Sequence, residues 1–142
     1  MPLSITEQLA YSTVRLECDT PNGLSTGTGF FFKFLEDGDQ HVPVIITNKH
    51  VVNNATTGRF VMTKANDEGN PIQRDFFTVT LNNFEQFWRF HPDDNIDLCA
   101  MPIAPVLNAA NERNQDYFIE YLKDLYYQQT NKKTNFIPLR IY

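Results

Sequence analysis

Two residues in the sequence have the types and setting for proton-transfer chemistry. His50 lies in "VIITNKHVV", Val44 to Val52, where an imidazole comes two residues after Asn48, at the end of a strongly apolar run. Asp97 lies in "DNIDLCAMPI", where a carboxylate directly precedes one. An Asp that accepts a hydrogen bond from one ring nitrogen fixes the tautomer and orientation of a His, and the other nitrogen is left to take a proton from a nucleophile. With an ordinary pKa of about 6.5, imidazole can also return that proton near neutral pH. For these two groups to meet, the segment ending before His50 and the segment starting after Asp97 must be neighbouring strands that share a rim.

The rest of the chain supplies such strands. Short apolar or alternating runs separated by turn residues extend from Ser12 to about Pro102, the pattern of a small all-β domain. Six strands are predicted: Ser12–Cys18, Thr28–Glu36, Val42–Asn48, Gly58–Ala65, Asp75–Asn82 and Asp97–Ile103. In the first, Val14, Leu16 and Cys18 share one face, with Arg15 and Glu17 on the other. Asp37-Gly38 is suited to a tight hairpin turn, and the polar loop "NDEGNPIQR" joins the fourth and fifth strands. Six antiparallel strands leave two exposed edges unless the sheet closes, so the expected fold is mainly β, a small six-stranded antiparallel barrel over residues 1–104. Tyr117, Phe118, Tyr121, Leu122 and Leu125 fall at helical spacing, which predicts a C-terminal helix within 105–130, and residues 131–142 read as a linker.

Three segments in order then resemble one family. "STGTGFFF" at Ser25 to Phe32, "VIITNKHVV" and "HPDDNIDLCAMPI" at His91 to Ile103 are similar to successive signatures of the trypsin-like (chymotrypsin-fold) serine peptidases. The closest likeness is to the disulfide-poor bacterial branch that includes the HtrA-type proteases, in which a T-N-x-H-V segment carries the catalytic histidine. The resemblance spans about Thr13 to Ile103 and implies a six-stranded antiparallel Greek-key barrel, the first of two. It makes His50 the general base and Asp97 its orienting partner. It also implies a nucleophilic serine in a G-x-S-G segment of a second barrel, and the chain contains none. Its three serines, Ser4, Ser12 and Ser25, lack that glycine pattern. The chain is therefore expected to stop where the connection to the second barrel begins. Two readings follow: the N-terminal half of a serine endopeptidase, inactive by itself, or a non-catalytic peptidase-like barrel that binds a peptide or protein partner.

Composition narrows the partners. With twelve Phe, six Tyr and one Trp among 142 residues and 42% hydrophobic content, the chain has the material for a packed core. A net charge of -5, with no basic cluster beyond Lys132-Lys133, argues against nucleic acid. The expected partner is a polypeptide, a second barrel or another copy. The apolar runs are far shorter than the roughly 20 residues of a membrane span, and no leader precedes them, so a cytoplasmic setting is expected. Cys18 and Cys99 lack C-x-x-C spacing and read as buried free thiols. No cofactor or metal is implied. His41 reads as a solvated hairpin residue and His91 as a loop residue before Pro92. Asp93, Asp94 and the loop Asn66 to Asn70 lack the ligands for a metal. Phe84, Phe87, Trp88 and Phe90 are expected to pack in the core.

Overall fold

The computed structural model describes residues 3–35 and 41–122. The predicted turn at Asp37-Gly38, the helix beyond residue 122 and the linker 131–142 lie outside these residues.

Eight antiparallel strands form one sheet. A short helix, α1 (Ile5–Tyr11), precedes β1 (Thr13–Thr20), β2 (Gly23–Leu35) and β3 (His41–Thr47). After β3 a single helical turn, α2 (Lys49–Val52), leads to the hairpin of β4 (Thr57–Ala65) and β5 (Pro71–Asn82). A 3-10 turn at Phe84–Phe87, β6 (Arg89–Phe90), β7 (Cys99–Pro102), α3 (Ala104–Glu112) and β8 (Asp116–Tyr117) complete it. All six predicted strands are present with shifted ends.

The sheet runs in the order β5-β4-β1-β2-β3-β7-β6, with β8 added to β4. It is open, which corrects the expectation of a closed six-stranded barrel. No ladder joins β5 to β7 among the described residues, because β7 already pairs β3 on one edge and the two-residue β6 on the other. Inward side chains from nearly every strand still share one core, including Leu16, Phe31, Ile45, Phe60, Val79 and Met101. Both ends of the sheet therefore contribute to the same interior.

Alternation governs which side chains go inside. In β1 Val14, Leu16 and Cys18 are buried, as the sequence pattern requires. β3 departs from alternation, with Val44 through Thr47 all buried. Its outer face carries Val44 and Ile46, which cluster with Phe32 and are flanked by Phe34, Leu98, Ala100 and Leu122.

The C-terminal helix differs from expectation in position. α3 starts at Ala104, with Pro105 in its first turn, where the missing N–H costs nothing, and ends before Asn114, whose φ of 58° is left-handed. Tyr117, Phe118 and Tyr121 are not on a helix. Tyr117 pairs with Lys64 in β8, and Tyr117, Ile119 and Tyr121 pack against the core at strand spacing. Main-chain bonds from Phe118 to the Thr63 carbonyl and from Glu120 to the Tyr11 carbonyl hold the segment in place. A strand has two edges, and β5 occupies one edge of β4, so this segment extends the edge that β1 covers only up to Arg59.

Candidate active site

The register of β3 and β7 assembles the site. Thr47 lies opposite Cys99 and Ile46 opposite Ala100 in an antiparallel pair. The residues following Thr47 and those preceding Cys99 therefore emerge at the same end of the ladder. His50 sits in α2, immediately past β3, and Asp97 lies two residues before β7.

Side chains then lock this juxtaposition. His50 Nδ1 is 2.5 Å from Asp97 Oδ2, and the His50 main-chain N–H donates to Asp97 Oδ1 at 3.1 Å. A carboxylate facing Nδ1 requires the proton on that nitrogen, which leaves Nε2 as the lone-pair acceptor. Nε2 has no partner among the described residues. Asn48 Nδ2 donates to the Asp97 carbonyl at 2.8 Å, and Lys49 Nζ donates to the Asp93 carbonyl at 3.1 Å. The sequence reading missed both residues, although Asn48 lies inside the T-N-x-H-V segment it singled out.

The loop carrying Asp97 is shaped from within. The Asp93 N–H donates to His91 Nδ1 at 3.0 Å, the Asn95 N–H donates to Asp93 Oδ1 at 2.9 Å, and the Ile96 N–H donates to the Asp93 carbonyl at 3.0 Å. His91 is thus a loop-forming residue. His41 is exposed at the start of β3, opposite Leu35. No group of three His, Cys, Asp or Glu residues among the described residues could hold a metal. The aromatic quartet divides: Phe84 and Trp88 are buried edge to face at 5.6 Å, whereas Phe87 and Phe90 are exposed.

α2 is only four residues long, so tertiary contacts must hold it. Val51 and Val52 are buried beneath it, and Ser25 Oγ donates to the Val51 carbonyl at 2.9 Å. Gly27 makes this packing possible, because a Cβ there would lie 2.5 Å from Val51 Cγ2. Val51 is β-branched and stiff, so it cannot swing away. Gly27→Ala is expected to destabilise the fold by about 1–3 kcal/mol and to displace α2 with His50. Thermal unfolding measures the first effect, and the amide shifts of residues 49–52 report the second.

The pair is exposed, with side-chain accessibilities of 73% for His50 and 48% for Asp97. The His50 ring hydrogen bond is the main cause holding the Asp97 carboxyl below its ordinary value of 3.8, and burial opposes it. A depressed carboxylate stabilises the fold above its unfolded value, and that contribution is lost as pH falls through the folded value. The stability difference between wild type and Asp97→Asn is therefore expected above about pH 4 and should shrink below it. Urea titrations at stepped pH check this.

The serines and cysteines among the described residues are engaged elsewhere or buried. Ser4 caps α1, Ser12 Oγ donates to the Leu9 carbonyl, and Ser25 is committed to Val51. Cys99, two residues from Asp97, is free and buried, and desolvation pushes its thiol up to about 12. Its Sγ faces the Thr47 carbonyl at 3.7 Å. Cys18 is likewise free and buried, its thiol pushed up to about 11 chiefly by desolvation. Burial favours the neutral thiol at both positions. No helix among the described residues is long and apolar enough to cross a membrane. No family model, no curated protein and no solved structure matches the chain, which leaves the geometry of His50 and Asp97 as the ground for any functional reading.

Proposed function

We propose that His50 and Asp97 are the general base and its orienting carboxylate in a serine-type endopeptidase of trypsin-like fold, and that a second barrel brings the serine and the oxyanion-binding amides. Asp97 holds the Nδ1–H tautomer, Nε2 takes the serine proton as the hydroxyl attacks the peptide carbonyl, and the imidazolium then protonates the leaving amine. The observation that carries this reading is the 2.5 Å contact of His50 Nδ1 with Asp97 Oδ2, reinforced by the main-chain bond to the other oxygen. The open sheet is read as the first barrel of that fold. Its support is the core that side chains from both ends of the sheet share, with no β5–β7 ladder among the described residues. An intracellular setting fits two buried thiols that remain unpaired.

A second reading, a non-catalytic module that binds a polypeptide, is favoured by a different observation. Tyr117, Ile119, Tyr121 and Leu122 are packed on the chain's own clusters, as a self-contained domain requires. The test is covalent labelling by a fluorophosphonate probe of the protein expressed from its complete coding sequence. Labelling of a serine outside these 142 residues supports the peptidase. Absence of labelling in folded protein overturns it and leaves the binding module.

A further inference from the structure

A groove of about 440 Å³ occupies the opening of the sheet, and neither His50 nor Asp97 lines it. Its walls are five consecutive residues of β5, Phe77 to Leu81, faced by Met101 and Pro102 of β7 and by Val106 of α3. Successive strand residues point to opposite faces, so five in a row can border one space only if it runs along the strand's edge, against the backbone. That edge has no main-chain partner among the described residues: β5 pairs only with β4. Folded proteins usually guard an exposed edge with charge, proline or a bulge. The start of β5 has such guards in Pro71, in Arg74 with its φ of 63°, and in Asp75, whereas Phe76 to Leu81 has none.

One end of the groove carries a cation. Arg113 lies with its guanidinium 4.3 Å from the centre of the Phe77 ring and donates one hydrogen bond, at 2.9 Å, to Tyr117 Oη. Both partners are neutral, and no carboxylate among the described residues pairs with it. A guanidinium has five N–H donors, so several remain for an incoming anion.

We infer that this seam is a strand-addition site for an extended polypeptide segment, which pairs with the free edge of β5, places apolar side chains against Met101 and Val106, and sets a carboxylate on Arg113. A strand matched to Phe77–Leu81 is about five residues long at roughly 3.4 Å per residue. Every ladder in this sheet is antiparallel, which puts the acidic residue at the C-terminal end of the segment, beside Phe77.

The test uses the whole chain with a synthetic peptide, acetyl-Thr-Val-Thr-Val-Thr-Asp-amide, followed through amide resonances. Expected are saturable shifts at residues 77–81 and at Arg113. A lysine in place of the aspartate should weaken binding about tenfold, and the preference should reverse in Arg113→Glu. Methylating alternate peptide nitrogens on the pairing side should abolish the shifts. Three results would each overturn the inference: no shifts at millimolar peptide, affinity indifferent to the sign of the last residue, or β5 edge amides already protected from exchange in the free protein. Shifts of the same amides on raising protein concentration without peptide would identify a second copy as the occupant, and would equally count against it.

Discussion

Replacing His50 with alanine is expected, on the proposed peptidase reading, to lower the rate of serine acylation by about 10⁶-fold, and Asp97→Asn by about 10⁴-fold. The difference follows from the geometry. Without the imidazole nothing accepts the hydroxyl proton, so attack must proceed from a weak neutral nucleophile. With asparagine at position 97 the ring remains, but an amide can donate to Nδ1 through its nitrogen and thereby move the ring proton to Nε2, the position that must be empty. His50 also loses the carboxylate that stabilises its charged form during the reaction. Fluorophosphonate labelling rates across wild type, His50→Ala, Asp97→Asn and the double variant check this. Because the two groups act as one unit, the double variant should be little slower than His50→Ala alone, whereas independent roles would multiply the two losses.

Phe84→Ala is expected to have the largest effect on stability, a loss of about 3–5 kcal/mol. Phe84 is fully buried, stacks edge to face on Trp88, and lies over Gly58 so closely that a Cβ there would be 2.1 Å from the ring. Gly58 sits in β4 between Cys18 of β1 and Leu81 of β5, so the ring seats directly on the backbone of a central strand. Gly58→Ala would force the ring out of this seat and is expected to cost roughly 1–3 kcal/mol or more. The two changes should not add. With Phe84 removed, a methyl group at position 58 enters the vacated space, so the double variant should be more stable than the sum of the single losses implies. Denaturant midpoints of the four proteins give the coupling directly, and simple additivity would show that Phe84 and Gly58 do not share this seat.

Much of this architecture is legible in the residues. The six strands follow from alternation and from the turn residues between them, and the order of the T-N-x-H-V and D-N-I-D-L segments singles out His50 and Asp97 as candidates. Sheet closure was less legible, because edge economy alone gives no weight to Arg89 and Phe90. These two residues take the outer edge of β7 and leave the gap to β5 unpaired. The segment after α3 was misread because Tyr117, Phe118, Tyr121 and Leu122 fit a helical stripe, while Tyr117, Ile119 and Tyr121 fit a strand equally well. What decided it was tertiary: the uncovered edge of β4 at Lys64 and Ala65. α1 carried a signal in Ser4 and Glu7, whose side chains form a reciprocal capping box at its start. Asn48 and Gly27 are a different case, since their roles depend on contacts with Asp97 and Val51 that only the folded chain creates.

The ladder that assembles the site, like that of β4 with β8, joins stretches of chain far apart in sequence. Thr47 and Cys99 are 52 positions apart, whereas β1–β2, β2–β3 and β4–β5 connect consecutive strands. The β4–β5 hairpin lies within the loop that this ladder closes, and β7 brings only four residues and the two-residue β6 to hold it shut. Loop-closure entropy makes such a contact late to form, and a short strand with only a two-residue neighbour beyond it makes it early to open. The meeting of imidazole and carboxylate is therefore expected among the later steps of folding. Fraying of β7 would separate them while the hairpins stay intact, so the His50–Asp97 pair can be broken by a local opening that leaves most of the domain in place.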